Sequence, residues 1–72
     1  MYCVISNDGK TVYVRRDDGR NVTTLFPTAG SERIENAYMS GNDKVIVNYT
    51  DKLNRHHVML YTTEGRILRH DY

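Results

Sequence analysis

Apolar and polar residues alternate along much of this chain, in short runs with a period close to two. Within 11–16, Val12, Val14 and Arg16 fall on one side and Thr11, Tyr13 and Arg15 on the other. Within 44–49, one side carries Val45, Val47 and Tyr49, while the other still holds Ile46. Within 56–61 the two sides are His56, Val58, Leu60 and His57, Met59, Tyr61. Successive side chains of an extended strand point to opposite faces, so this is strand patterning. Tyr, Val, Ile and Thr dominate the runs, and Gly, Asn and Asp punctuate them at roughly the spacing of short strands in an all-β chain.

The pattern predicts strands over 2–6, 10–16, 21–26, 33–39, 43–50, 56–63 and 66–71. Between them lie turns at 7–9, 17–19, 27–31, 41–42, 51–54 and 64–65. Asp18-Gly19 and Gly41-Asn42 supply residues that tolerate a positive φ, which tight hairpin turns require. Pro27 has no amide proton and should end its strand. One segment reads two ways. Over 31–39, Ser31 could cap a short helix with Ile34, Ala37 and Tyr38 on one side, or the segment is a strand. A second observation favours the strand.

That observation is an internal repeat. Val12-Tyr13-Val14 lies on Val45-Ile46-Val47, and Leu25-Phe26-Pro27-Thr28-Ala29-Gly30 on Leu60-Tyr61-Thr62-Thr63-Glu64-Gly65. Ala37-Tyr38-Met39-Ser40 likewise copies Cys3-Val4-Ile5-Ser6. The offset is about 33 to 35 residues, in the range of repeat architectures. The chain is therefore read as one small β domain of two similar units, about 2–32 and 33–72. The second unit is apolar on both strand faces, whereas a sheet wet on one side alternates cleanly. Another subunit is the expected cover for its second face.

Length and composition sharpen this. At 72 residues a chain buries only roughly 60% of the surface it exposes when unfolded, so a staple is expected. Cys3 is the single cysteine, which excludes an internal disulfide and suits a reducing compartment. Self-association or an unusually well-packed core remains, and self-association is the favoured reading. A net charge of +1 gives no global pull towards nucleic acid or an anionic membrane. No apolar run approaches the roughly 20 residues of a membrane helix, and the N-terminus lacks the form of a signal peptide. A cytoplasmic protein without membrane contact is expected.

The run Ser6-Asn7-Asp8-Gly9-Lys10-Thr11-Val12-Tyr13-Val14, followed by Asp18-Gly19 and Val22 to Phe26, resembles a β-propeller blade. It is similar to the S-x-D-G-K-x-V-Y-V element of such repeats, in which Asp-Gly turns the chain and V-x-V packs between blades. The second copy has Asn42-Asp43-Lys44 in place of Asp8-Gly9-Lys10. The resemblance departs from the family in its short period and in offering two blades, where a closed ring needs at least four. It implies a ring closed by two or three chains, and no particular activity.

Candidate chemistry is sparse. His56 and His57 are adjacent on a strand and face apart, while His57 and His70 could meet across the last hairpin beside Asp71; edge histidines are the simpler reading. Asp17, Asp18, Asp43 and Asp51 fall in turns, where their side chains bond nearby amides. Ser6, Ser31, Ser40 and Cys3 have no base suggested by spacing. No catalytic residue, metal ligand set or cofactor is therefore expected. The suggestive set is aromatic and basic: six tyrosines and seven arginines, without tryptophan. Tyr and Arg are enriched at protein–protein hot spots, and their interleaving also suits single-stranded nucleic acid.

These observations predict an all-β antiparallel meander of two three- to four-strand units. It forms a small barrel or a dimeric sandwich, with a propeller closed by oligomerisation as the third arrangement. The expected function is a non-catalytic protein–protein interaction module, for instance a small bacterial or phage protein that modulates another macromolecule, with Tyr13, Arg15, Tyr49 and Tyr61 as contacts. The alternatives are a single-stranded nucleic-acid-binding regulator and a ligand-binding, propeller-like oligomer.

Overall fold

A computed structural model describes residues 1–27, 33–41 and 43–70. It contains seven strands: β1 (Tyr2–Ile5), β2 (Val12–Arg15), β3 (Asn21–Leu25), β4 (Arg33–Ser40), β5 (Lys44–Thr50), β6 (His56–Thr62) and β7 (Ile67–His70). Each coincides with a strand expected from the sequence, the fourth of them over the segment that also read as a short helix, and the molecule is all-β. The strands form two antiparallel sheets, β1-β2-β3 and β4-β5-β6-β7. They do not close into a barrel. Part of the predicted turn 27–31, Asn42 and Asp71 lie outside the described residues.

Segment 33–40 is a strand, and the register shows why it imitates a helix. A bulge between Ile34 and Asn36 leaves Glu35 unpaired: Ile34 faces Tyr49, Asn36 faces Asn48 and Ala37 faces Val47. The extra residue resets the alternation, so Ile34 and Ala37, three apart, both reach the core side. Spacing of three is also what one face of a helix shows.

Three of the hairpin turns share one design. At 16–20, 51–55 and 62–66 the first N–H donates to the fifth carbonyl, and the fourth N–H donates to the first carbonyl. The fourth residue is left-handed in each, with φ of 90° at Gly19, 66° at Asn54 and 93° at Gly65. This is the three-residue hairpin loop, a type I turn followed by a bulge residue. Side chains complete it: Asp18 Oδ1 accepts from Arg20 N at 3.0 Å and Thr62 Oγ1 from Arg66 N at 3.1 Å.

One face of each sheet builds a common core. Val12, Val14 and Leu25 come from the first sheet, and Ile34, Val45, Val47, Tyr49, Met59 and Tyr61 from the second. Cys3, Ile5, Ala37 and Met39 pack at its margin. The four valines are fully buried. Along one margin β1 and β4 run in opposite directions: Cys3 Sγ lies 3.8 Å from Met39 Sδ, and Ile34 N donates to Gly9 O at 2.9 Å. At the far margin the β6–β7 turn touches β3, where the Thr23 hydroxyl donates to Thr63 O.

The registers refine the residue correspondence. Val12 faces Leu25, and Val45 faces Tyr61, one position beyond Leu60. Matching Leu25 with Leu60 by identity therefore shifts the strand parity by one, which exchanges the two faces. Leu60 stands on the outer side, opposite Ile46.

Candidate functional site

The four candidate contact residues divide into two groups. Tyr13 and Arg15 sit on β2 with their side chains away from the valine face. The Arg15 guanidinium carbon lies 5.4 Å from the Tyr13 ring centroid, a cation–π arrangement. Across the ladder Tyr13 faces Val4 and Thr24, and Arg15 faces Tyr2. A register shift between Val14 and Arg15 ends the regular pairing and sets Arg15 opposite Asn21. Tyr2 is 40% exposed and Tyr13, Arg15 and Val4 are half-buried. The result is one aromatic and aliphatic face with a pre-stacked cation.

Tyr49 and Tyr61 are placed elsewhere, each 4% exposed in the core. The structure does not bring them to the Tyr13–Arg15 surface. They share their strand side with Val45, Val47 and Met59, and that side is the one the first sheet covers. Burial pushes the Tyr61 phenol up to about 12, with the nearby Tyr49 adding to the effect. Its hydroxyl donates to Met59 Sδ at 3.5 Å.

Tyr49 belongs to a polar cluster at the end of the second sheet. Its hydroxyl lies 2.7 Å from His70 Nε2, and its ring stacks on His57 at 5.0 Å between centroids. His57 and His70 do approach, with centroids 6.1 Å apart. His57 Nε2 lies 2.9 Å from Asp51 Oδ2. An ionised carboxylate only accepts, so this imidazole nitrogen carries the hydrogen. Asp51 Oδ1 also accepts from Leu53 N and Arg55 N, both at 2.9 Å, and Oδ2 from Arg55 Nε at 2.8 Å. The His57 hydrogen bond, then those from Arg55, hold this carboxyl well below its ordinary value. Sequence placed Asp51 in a turn; alternation alone could not show that His57 joins it.

Among the described residues no group of three or more His, Cys, Asp or Glu could hold a metal ion. The half-buried Cys3 thiol is pushed up by burial, which lowers its thiolate fraction. A cleft of about 420 Å³ is lined by Arg33, Thr50, Asp51, Lys52 and Asn54. No helix of the described residues is long and apolar enough to cross a membrane. Comparison with protein-family models, curated proteins and solved structures finds no match.

Proposed function

We propose that this chain is a non-catalytic protein–protein interaction module, and that a second copy of itself is its first partner. The observation that carries the reading is the Arg15–Tyr13 stack, flanked by Tyr2 and Val4 on the face away from the core. A stacked guanidinium and a half-buried phenol lose little side-chain freedom on contact, which is why such residues dominate interface energies. Tyr49 and Tyr61 serve the core in this reading. The outer side of the second sheet, with Tyr38, Ile46 and Leu60 in one cross-strand row, offers a second apolar surface.

The accessible surface is 4737 Å², against roughly 4,600 Å² expected for a folded monomer of this mass. Association then joins molecules that are already folded. It is expected to be reversible and concentration-dependent. A reducing, cytoplasmic setting accords with the one unpaired thiol.

Sedimentation over a wide concentration range tests the proposal. The wild-type mass should rise towards a dimer or a small ring, and Arg15→Glu should hold it at the monomer. A wild-type monomer throughout removes self-association, and an unchanged Arg15→Glu profile removes this face. A labelled single-stranded oligonucleotide at low salt addresses the alternative: binding through Tyr13 and Arg15 would redirect the reading to nucleic acid.

A further inference from the structure

We propose that the cleft between the start of β4 and the β5–β6 turn binds the phosphate group of a small phosphomonoester. The cleft is lined by Arg33, Thr50, Asp51, Lys52 and Asn54. Three of these bring donors to a ligand, the Arg33 guanidinium, the Lys52 ammonium and the Asn54 carboxamide, while the Thr50 hydroxyl already donates to Glu35. The fifth is a carboxylate, which would ordinarily repel an anion. Here both Asp51 oxygens are already engaged, by the Leu53 and Arg55 amides, by Arg55 Nε and by His57 Nε2. Its side chain is only 8% exposed, so its charge is compensated where it stands.

The cations are differently placed. Among the described residues the ion pairs involve Arg20, Lys44, Arg55, His56, His57 and the N-terminus, and neither Arg33 nor Lys52. Both are exposed, so a ligand need not displace a carboxylate to reach them. Arg33 is also held at its base. The next amide, Ile34 N, donates to Gly9 O at 2.9 Å, and the Arg33 Cγ lies 3.5 Å from where a Cβ on Gly9 would stand. Asn54 is fixed by its left-handed backbone and by donating N–H to Asp51 O at 3.0 Å. Two anchored walls thus present donors across one opening, the arrangement a doubly charged phosphate rewards most.

The lining also limits the ligand. Among the described residues no aromatic side chain lines the cleft, so they offer a nucleobase no stacking surface there. Affinity comes from the phosphate. A sugar phosphate and a mononucleotide should bind alike, and both about as well as inorganic phosphate.

The test is a titration of the isotopically labelled protein with inorganic phosphate, followed by amide resonances at constant ionic strength. Saturable shifts are expected at Thr50, Lys52 and Asn54. Arg33→Gln combined with Lys52→Gln should weaken binding about tenfold or more, with the rest of the spectrum unchanged. Arg16→Gln, in the turn at the opposite end of the first sheet, should leave it intact. Equal shifts with chloride, or shifts that survive the double substitution, would overturn the proposal. So would a mononucleotide whose shifts centre on Tyr13.

Discussion

The two sheets carry the same V-x-V pattern yet do different work. β2 contributes Val12 and Val14, and β5 contributes Val45 and Val47, all fully buried. Around its pair the first sheet adds one further buried residue, Leu25, on strands of four or five residues. The second adds Ile34, Tyr49, Met59 and Tyr61, and its three longest strands run to seven or eight residues. Only the second sheet carries the Tyr49–His57–Asp51–His70 cluster. The second sheet is thus the platform, and the first is a thinner layer laid over it. Similar strand patterns can supply unequal shares of one core, and the freer layer presents the Tyr13–Arg15 face.

The largest expected effect is in the platform. Val47→Asp places an unpaired charge at a fully buried site, costing several kcal/mol, against a total stability of about 5 kcal/mol for a chain this small. The protein should be unfolded by circular dichroism; a native spectrum would contradict the core assignment. Next come the residues that face the two leading valines. Tyr61→Ala should cost ~3–5 kcal/mol and Leu25→Ala ~2–3 kcal/mol in urea denaturation. Tyr61→Phe should change little, because its hydroxyl bonds only a thioether sulfur. The reverse ranking of Tyr61→Ala and Leu25→Ala would break the platform-and-cover distinction.

A smaller effect tests how the layers meet. Gly65 has φ of 93°, and a Cβ there would lie 3.3 Å from Thr23 Cγ2, whereas Gly19 has φ of 90° and open space. Gly19→Ala should cost only the backbone strain, about 1–2 kcal/mol. Gly65→Ala should cost more, because it also pushes the turn away from β3. Equal melting temperatures would show that this margin is loose.

The mildest test is acid titration. Asp51 has a depressed folded-state pKa, so its contribution is present above the unfolded value of about 4. It is lost as pH falls from there through the folded value. Stability should therefore decline below about pH 4, and Asp51→Asn should flatten that limb. An acid limb unchanged in Asp51→Asn would remove the carboxylate from the account. Amide exchange completes the comparison: β1 and β3 should exchange faster than β5 and β6.

Much of this was legible from residue order. The strands outside 33–40 were visible in their residue pattern, 33–40 was read as a strand only through the repeat, and the turn at 17–19 was visible in Asp18-Gly19. The candidate site was half legible. Tyr13 and Arg15 could be placed on one strand face. That Tyr49 and Tyr61 face the core could not be told, because alternation defines two sides without naming which is covered. The bulge at Glu35 was hidden for a related reason: one extra residue makes a strand imitate helical spacing.

The sequence alone determined the strand content and the turns at 17–19, 51–54 and 64–65, because period-two alternation and left-handed turn residues act over a few neighbouring positions. Tertiary structure decided which strand faces share a core, that Tyr61 and not Leu60 faces Val45 as Leu25 faces Val12, and that Asp51 meets His57 while His70 meets Tyr49. Those outcomes depend on register and on one sheet covering another, and such contacts form between residues far apart along the chain.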